Sequence, residues 1–502
     1  MSHRGKHIVV VSNRLPVVLS RGQHGWDVES GSGGLVTALA PVLRDRGGTW
    51  IGWPGSADDT GVEEALSSLA KDIGYSLVPV TLNADEVERH YRGFSNEIIW
   101  PLFHDLQSHC NFDPSYWETY QDVNRRFAEV ILRTAGKNAF VWLHDYHLML
   151  TARYLREMGF QGKIGFFLHI PFPTLDMFLR LPWRAEILSA LTACDLIGFQ
   201  TMRDRRNFVS CVRGIIGGAS YRGRGQVCGL TTEHRDFRIG AFPISIDFGH
   251  FASLADSDEV AERAWQLHAN LPERQLVLGI DRMDYSKGIP HRLDAFARLL
   301  ERHPEWRERV SLVQIVVPSR RGIPEYEALK TRIERVVGEI NGRFTQRSGW
   351  VPIHYLYRSL EQTELIAYYR TAEIGLLTPL KDGMNLVAKE YCASSTDETG
   401  VLILSEFAGA AAELGKAALL VNPHDTVGVA DALHTALGMP NEERARRMRS
   451  LRQSIKRHDV FWWVDSFLNA AFAEDLSSFP IVDELQTLHH AHPTGNTSDA
   501  RR

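Results

Sequence analysis

The sequence predicts an α/β fold built from two doubly wound domains. Short apolar or β-branched runs alternate with longer helical patterns along most of the 502 residues. Runs that are apolar on both faces and separated by helices are typical of parallel sheets that are covered on each side. The alternation restarts near residue 247, where Ile246-Asp247 leads through a polar helix into a new apolar run. Two α/β domains of similar size account for this restart.

Twelve candidate strands support this fold class. Those of the first half are His7–Ser12, Thr49–Trp53, Ala139–His144, Lys163–His169, Asp195–Gln200 and Arg238–Ile246. Those of the second half are Gln275–Ile280, Val310–Val317, His354–Tyr357, Glu373–Thr378, Val401–Ser405 and Ala417–Val421. We therefore assign residues 1–245 to the first domain and 246–455 to the second. The polar end of the chain, residues 478–502, is predicted to be disordered.

Composition favours a cytoplasmic protein that does not bind nucleic acid or a membrane. The net charge is −5, and the five cysteines include no CxxC pair, which argues against a disulfide framework or a zinc ribbon. The apolar run after the first few residues is too short for a signal peptide. No apolar stretch approaches the ~18 residues that span a bilayer.

A glycine-rich stretch, ESGSGG, precedes an apolar helix and includes Gly33 and Gly34. It is either a tight loop or a phosphate cradle at a helix N-terminus. It lacks both the Walker A lysine and the G-x-G-x-x-G fingerprint, which disfavours a nicotinamide dehydrogenase. A second glycine-containing stretch, GRGQVCG at 223–229, is predicted to be a surface turn.

Three further motifs can be interpreted either as structural features of the fold or as parts of a functional site. Asp256-Ser257-Asp258 resembles an Asp-x-Asp metal motif, but it precedes a helix, so N-capping explains it better and we assign no metal. In HDYH, Asp145 follows a strand and is predicted to contact substrate, whereas His144 and His147 are predicted to be structural. His169 also ends a strand, and taken alone it is best interpreted as a core histidine.

The second half carries a charged constellation after successive strands. Arg282 and Lys287 follow the first strand, and two cations at a strand's carboxyl end suit a diphosphate. Arg320 and Arg321 follow the next strand in the same way. In LKDGMNLVAKEY, Asp382 lies in a turn and the residues from Asn385 begin a helix whose free N–H groups favour an anion.

Glu390 lies about one turn into that helix, where its carboxylate can accept hydrogen bonds from hydroxyls. Cationic side chains that can bind phosphates, together with acidic side chains that can bind hydroxyls, predict that the ligand is a nucleotide-diphosphate sugar. In the first half, Arg14 follows the first strand and can pair with a monophosphate. Tyr91 and Trp100 lie in an aromatic segment and can pack on a sugar ring, although core packing competes for Trp100.

These residues fall within motifs that resemble a known family. The motifs are VVVSNRLP, SGGL, GWPG, HYRGFSN with IWP, WLHDYHL, GFFLHIPFP, DRMDYSKG, PSRRG, INGRF, TPLKDGMNLVAKEY and LSEFAGAA. Between about Ile8 and Phe472 the chain is similar to the trehalose-6-phosphate synthases of glycosyltransferase family 20. The resemblance implies a GT-B fold, in which two Rossmann-like domains face a central cleft. It also implies retaining glucosyl transfer from UDP-glucose to glucose 6-phosphate.

The same resemblance implies residue roles. Arg282 and Lys287 bind the diphosphate, Glu390 holds the ribose, and Asp382 and His169 hold glucose hydroxyls. The implied donor-binding set is Gly33, Gly34, His169, Arg282, Lys287, Leu360, Asp382, Asn385, Leu386, Val387, Ala388, Lys389 and Glu390. The implied acceptor-binding set is Arg14, Trp53, Tyr91, Trp100, Asp145 and Arg320. The implied catalytic positions are Asp145, His169, Arg282, Lys287 and Asp382, and Leu360 stands where the family often has Phe.

Further expectations also come from the resemblance. No metal or other cofactor is required, residues 456–477 form a helix that crosses back to the first domain, and the domains close over both substrates. Relatives form dimers or tetramers, and a separate phosphatase would act on the product. Two alternatives share the donor motifs: a glucosylglycerol-phosphate synthase that uses glycerol 3-phosphate, and a non-catalytic relative that senses sugar phosphates.

Overall fold

The computed structural model describes residues 7–479 apart from 23–24, 32–33, 57–60, 137–138, 224, 234, 270–274, 320–323, 346–348 and 477–478. Gly33, Arg320, Arg321 and almost all of the predicted disordered tail therefore lie outside the described residues. Within the described part, the chain alternates strands and helices throughout, as the sequence predicts.

The first half supplies eleven described strands. They are β1 (Ile8–Arg14), β2 (Val17–Gly22), β3 (Gly25–Ser30), β4 (Thr49–Trp53), β5 (Ser76–Pro79), β6 (Phe140–His144), β7 (Lys163–Phe167), β8 (Leu196–Phe199), β9 (Ser220–Arg222), β10 (Val227–Thr231) and β11 (Asp236–Ala241). Nine of them form one sheet in the order β5-β4-β1-β6-β7-β8-β11-β10-β9, while β2 and β3 form a separate hairpin. The sheet is parallel from β5 to β11, and its last two strands are antiparallel.

The antiparallel edge corrects one prediction. The residues 223–229 do not form a simple surface turn, because Val227 begins β10 and its side chain and that of Cys228 are buried. These residues pair with Gly240 and Ile239 of β11. The prediction of a surface turn was wrong because the glycines of this stretch are typical of a loop. Only two of its residues, Val227 and Cys228, are apolar and indicate a strand.

The second half forms a sheet of six parallel strands. They are β12 (Gln275–Arg282), β13 (Val310–Val317), β14 (Ile353–Tyr357), β15 (Ile374–Leu377), β16 (Val401–Ser405) and β17 (Leu419–Val421), in the order β14-β13-β12-β15-β16-β17. All six match predicted strands, and the inner ones, such as β13, β15 and β16, are apolar runs that are buried on both faces.

Helices cover both sheets. They are α1 (Gly34–Arg46), α2 (Val62–Ile73), α3 (Ala84–Glu86), α4 (Trp100–Phe103), α5 (Pro114–Thr134), α6 (Thr151–Glu157), α7 (Leu175–Phe178), α8 (Arg184–Leu191), α9 (Met202–Ile215), α10 (Phe248–Ala255), α11 (Asp258–Ala269), α12 (Ile289–Arg302), α13 (Pro324–Phe344), α14 (Gln362–Thr371), α15 (Leu386–Ser394), α16 (Ala411–Leu414), α17 (Thr426–Leu437), α18 (Asn441–Arg457) and α19 (Val460–Phe472). A π-helix, Val87–Ile99, joins α3 to α4, and short 3₁₀ turns occupy Gln107–His109, Tyr146–Leu148, Tyr285–Lys287 and Pro304–Trp306.

The capping prediction for 256–258 is confirmed. The hydroxyl of Ser257 accepts a hydrogen bond from the Val260 N–H at 3.4 Å, and α11 begins at Asp258. A polar side chain in this position satisfies an N–H group that has no partner within the helix.

The last helix, α19, packs on the first sheet although it follows the second one in sequence. The ring of Phe467 stacks on Trp142 of β6 at 4.5 Å, and the indole N–H of Trp463 donates to the carbonyl of Phe242 at 3.1 Å. The Lys163 ammonium donates to the carbonyl of Ala471 at 2.8 Å. The domain boundaries assigned from the sequence stay a prediction. Among the described residues, no helix is both long enough and apolar enough to cross a membrane.

Candidate active site

The carboxyl ends of the two sheets meet at one cleft, and several contacts cross it. A Cβ on Gly383 would lie 2.1 Å from the carbonyl oxygen of His169, so only glycine lets these two loops approach so closely. The ring of Tyr285 stacks on His109 at 4.8 Å, and the Lys381 ammonium forms an ion pair with Asp105. The cleft therefore brings the end of β7 against the loop that precedes α15.

The side of the cleft that carries the predicted donor residues, called the donor side below, contains a buried ion pair. The Lys287 ammonium lies 2.6 Å from Oδ2 of Asp382, and the amide of Asn385 donates to the same oxygen at 3.1 Å. Burial alone would raise the pKa of Asp382, but the neighbouring Lys287 charge and these hydrogen bonds lower it below its usual value. We call Lys287, Asp382 and Asn385 the donor cluster. The ion pair and the hydrogen bond to the Asp382 carboxylate connect their three side chains.

The donor cluster lies at the N-terminus of α15. Asn385 adopts a left-handed backbone, with φ of 78°, and its side chain caps the helix by accepting from the Ala388 N–H at 3.1 Å. The next two residues, Leu386 and Val387, begin the helix, so their N–H groups have no partner within it. An anion at this end is favoured both by those N–H groups and by the helix dipole.

Further along α15, the two charged side chains point to different places. Oε2 of Glu390 accepts a hydrogen bond from the Tyr369 hydroxyl at 2.8 Å, and burial raises the pKa of this carboxyl. The buried Lys389 ammonium instead contacts the carbonyl of Ile244 at 3.0 Å and the carboxylate of Glu413 at 2.6 Å. The structure therefore does not bring the Lys389 side chain to the cleft, and only its backbone remains available for the predicted donor contact.

The predicted donor residues Arg282 and Leu360 lie at the end of β12 and just before α14, respectively. Arg282 ends β12, and its guanidinium carbon is 6.0 Å from the ring centre of Trp100 in the first half of the chain. Leu360 lies just before α14 and is half-buried against the core. Gly34 begins α1.

A histidine pair and a strained aspartate follow β6 and β7. Nδ1 of His144 lies 3.1 Å from Nε2 of His169, and burial lowers the pKa of His169 to about 3. Burial lowers the pKa of His144 as well, and the proximity of His169 lowers it further. Asp145 has φ of 73°, a conformation that costs energy in a residue other than glycine, and its carboxylate accepts from the His169 N–H at 3.2 Å. His144 thus contacts a predicted site residue directly.

The side of the cleft that carries the predicted acceptor residues, called the acceptor side below, contains a pocket of about 430 Å³. Strand ends contribute Arg14, Trp53 and Gly55, and one face of the segment 84–92 contributes Ala84, Val87, Glu88, Tyr91 and Arg92. The guanidinium carbon of Arg14 lies 4.5 Å from the ring centre of Trp53 and 5.8 Å from that of Tyr91. The pocket therefore has a cation resting on aromatic faces, as a phosphorylated sugar would need.

Trp100 is both a core residue and a neighbour of the cleft. Its side chain is buried, and its ring packs on His104 at 4.2 Å. Burial lowers the pKa of His104 to about 4, and among the charges that act on it are those of Asp284, Lys287 and Asp382. Packing in the core, which the sequence also suggested for Trp100, is therefore compatible with its predicted position beside the sugar ring.

Sequence reasoning missed four residues at the cleft. Glu88 and Arg92 line the acceptor pocket, His104 lies between Trp100 and the donor cluster, and Tyr369 holds Glu390. Only Arg92 carried a signal, since it stands inside the quoted stretch HYRGFSN. The other three lie in ordinary helical or turn patterns.

One group of potential metal ligands occurs among the described residues, and it lies away from the cleft: His303, Glu305 and His434. The two imidazole rings stack at 3.8 Å with an angle of 12°. An ion bound at about 2 Å from each ring nitrogen must lie near both ring planes, which these stacked planes prevent. In addition, Nδ1 of His434 accepts from the Trp306 indole at 2.9 Å. The arrangement does not fit a metal centre.

A family comparison decides the assignment of the chain. The sequence profile described as glycosyltransferase family 20 matches residues 6–472. The chain belongs to glycosyltransferase family 20.

Relatives of known activity share most of this family 20 chain. It is 44% identical to the trehalose-6-phosphate synthase of Mycolicibacterium vanbaalenii, over 94% of this chain and 97% of that protein. It is 45% identical to the trehalose-6-phosphate synthase of Mycobacterium leprae, over 92% of this chain and 94% of that protein.

Solved structures of family 20 enzymes have the same fold. A Burkholderia xenovorans α,α-trehalose-phosphate synthase (UDP-forming), in complex with glucose 6-phosphate, is 35% identical with a TM-score of 0.84 and covers 93% of this chain and 100% of its own. The Escherichia coli enzyme bound with UDP-2-fluoro glucose is 34% identical with a TM-score of 0.84, covering 93% and 99%. The predicted fold class, two α/β domains in the GT-B arrangement, is confirmed.

Proposed function

We propose that this protein transfers glucose from UDP-glucose to glucose 6-phosphate and forms α,α-trehalose 6-phosphate and UDP. The observation that carries the proposal is the donor cluster at the start of α15, where a lysine, a carboxylate and a capped helix N-terminus converge. The 44% identical relative is a trehalose-6-phosphate synthase, and the similar crystal structures contain glucose 6-phosphate or a UDP-glucose analogue.

In this reaction the bond between the glucose C1 and the diphosphate oxygen breaks, and the anomeric hydroxyl of the acceptor bonds to C1 from the same face. The departing phosphate takes the hydroxyl proton, so the α configuration is retained. Arg282 and Lys287 stabilise the charge that develops on the diphosphate, with the free N–H groups of Leu386 and Val387. Fixed groups of this kind act only where charge develops and therefore lower the barrier.

The remaining donor contacts use carboxylates and histidine. Asp382 and His169 hold glucose hydroxyls, and Glu390 holds the ribose with its orientation fixed by Tyr369. Lys287 and Asp382 form an ion pair through Oδ2 of Asp382, and in this proposal the other N–H groups of the ammonium and Oδ1 of the carboxylate bind the donor. Gly33, Gly34, Leu360, Ala388 and Lys389 complete the proposed donor set through the backbone.

On the acceptor side, Arg14 and Tyr91 hold the phosphate, while Trp53, Trp100 and Asp145 orient the sugar ring. Arg320 is a further proposed phosphate contact that lies outside the described residues. The charge that a metal would otherwise supply comes from side chains, so the proposed reaction needs no metal or other cofactor.

Four further parts of the proposal concern the setting of the reaction. The protein acts in the cytoplasm, forms a dimer or tetramer, and contacts neither nucleic acid nor membrane. A separate phosphatase then dephosphorylates its product.

The test measures UDP release from UDP-glucose with glucose 6-phosphate, with glycerol 3-phosphate, or with no acceptor. We expect turnover with glucose 6-phosphate that survives treatment with a metal chelator. Turnover with glycerol 3-phosphate alone would assign the chain to the glucosylglycerol-phosphate synthases, and the absence of turnover with either acceptor would assign it to non-catalytic relatives. Neither alternative is favoured by the relatives compared above.

A further inference from the structure

Two charged side chains that line the acceptor pocket, Glu88 and Arg92, have no role in the reaction described so far. Arg92 lines the pocket together with Arg14, and its guanidinium lies 3.0 Å from the carboxylate of Glu88. Both residues of this pair face the pocket because residues 84, 87, 88, 91 and 92 share one face of a helical segment.

We propose that Arg92 is an additional phosphate-binding residue, which leaves Glu88 and joins Arg14 on the phosphate of the acceptor. This inference rests on the proposed function, because it names a residue that selects a phosphorylated acceptor. The resulting pocket grips the phosphate from two sides, with Arg14 on the strand side and Arg92 on the helical side.

The exchange of partners is favourable on physical grounds. The side chains of Arg92 and Glu88 are 44% and 59% exposed, and an ion pair so exposed, with i,i+4 spacing, is weak. A guanidinium on a phosphate forms charge-assisted, often bidentate hydrogen bonds, which are stronger. A phosphomonoester also carries more than one negative charge near neutral pH, whereas Glu88 carries one.

The position of Arg92 relative to Tyr91 supports the same conclusion. Tyr91 stacks on His147 at 5.8 Å with an angle of 13°, which fixes its ring as one wall of the pocket. Arg92 is the next residue of the same π-helix, so its backbone is held by the same packing. Only the side chain must move for the guanidinium to change partners.

The chain offers a closely matched control in the same segment. Arg89 pairs with Asp85 at 2.9 Å, also with i,i+4 spacing, and these side chains are 43% and 66% exposed. Neither Arg89 nor Asp85 lines the pocket. Arg89→Ala therefore removes the same charge and an equivalent ion pair without touching the proposed phosphate site.

The experiment measures the Kd of glucose 6-phosphate by calorimetry in the presence of UDP, and KM and kcat for both substrates. For Arg92→Ala we expect the acceptor Kd and KM to rise roughly five- to tenfold, a loss typical of a partly exposed charge-assisted hydrogen bond. The KM for UDP-glucose should stay as in the unchanged protein, and Arg92→Lys should recover part of the loss. Glu88→Gln should lower the acceptor Kd about twofold, since it removes the competing partner.

Arg89→Ala should behave like the unchanged protein in every measurement. If Arg92→Ala and Arg89→Ala give the same acceptor Kd, the inference is overturned while the proposed function stands. If the unchanged protein binds glucose 6-phosphate without turnover, the proposed function fails, and the Kd values of the two variants still decide the role of Arg92. Inorganic phosphate provides a second probe, because its competition with glucose 6-phosphate should weaken only in Arg92→Ala.

Discussion

Lys287 and Arg14, one cation on each side of the cleft, are held in different ways. On the donor side, Lys287 is buried and paired with Asp382 within the protein. On the acceptor side, Arg14 is exposed and rests on the faces of Trp53 and Tyr91. A buried charge needs a partner at all times, whereas an exposed one is solvated until its ligand arrives. The pairing of Lys287 is therefore preorganised, and we expect the proposed phosphate contact of Arg14 to form only when the acceptor binds.

The largest expected effect tests the donor side. Lys287→Ala should lower kcat by roughly 10²- to 10³-fold, as the loss of one preorganised charge-stabilising group does in other enzymes. It should also destabilise the fold, because Asp382 would be left buried without its ion-pair partner. Steady-state kinetics and thermal unfolding measure the two effects.

The double variant Lys287→Ala, Asp382→Asn separates stability from catalysis. It should recover much of the lost stability, because no unpaired charge remains, but it should recover no activity. The half-buried Lys330, which pairs with Glu334, is the control, and Lys330→Ala should leave kcat unchanged and lower the stability only slightly. A Lys287→Ala variant with near-normal kcat would show that the diphosphate is stabilised elsewhere.

The second effect tests the acceptor side. Arg14→Ala should raise the KM for glucose 6-phosphate by about ten- to fiftyfold, within the range of a lost charge-assisted contact. Since Arg14 is exposed and needs no partner within the fold, the melting temperature should hardly change. An unchanged acceptor KM, or a large loss of stability, would contradict the comparison between the two sides.

The third effect is smaller and returns to the donor side. Tyr369→Phe removes the hydroxyl that donates to Glu390, so the pKa of this carboxyl should rise further above its usual value. The KM for UDP-glucose should increase about fivefold at neutral pH, and more at lower pH as Glu390 becomes protonated. The neighbouring Tyr368→Phe is the control. Equal donor KM values for both variants would remove Glu390 from the ribose site.

The difference between the two sides also explains which residues of the candidate site could be predicted from the sequence. The donor side follows parallel strands that are continuous apolar runs, so the positions of Arg282, Lys287 and Asp382 at strand ends could be read directly. Their mutual pairing could not, because Lys287 and Asp382 are 95 residues apart. The resemblance to the family supplied the role of Asp382, and the structure adds the ion pair.

The acceptor side was harder to predict because its geometry depends on irregular elements. The π-helix 87–99 has no sequence signature in the helical pattern, and it decides that Glu88 and Arg92 share a face with Tyr91. The hairpin β2–β3 and strand β5 were also missed, since short and partly polar strands lack a clear period. Lys389 shows the converse error, since a residue inside a donor motif turns its side chain toward Glu413.

A change of pH tests the acceptor side through the stability of the fold rather than through substrate binding. Burial lowers the pKa of His90 to about 3, and among the described residues neither of its ring nitrogens has a hydrogen-bond partner. A group with a lowered pKa contributes stability above its unfolded-state pKa of about 6.5 and loses it as the pH falls toward 3. Asp382, whose pKa is also lowered, loses its contribution to stability only at the acid end of this range.

His90→Phe should therefore shift the acid-unfolding midpoint to lower pH. The slope of unfolding free energy against pH should fall by about 1.4 kcal/mol per pH unit between pH 4 and 6, which corresponds to one proton. The phenyl ring keeps the packing on Tyr120, whose ring lies 5.3 Å from that of His90. The exposed His268 is the control, and His268→Phe should leave the slope unchanged. If His90→Phe also leaves the slope unchanged, burial of this imidazole does not lower the stability of the acceptor side at acid pH. The contrast between the two sides is then confined to the charged residues of the cleft.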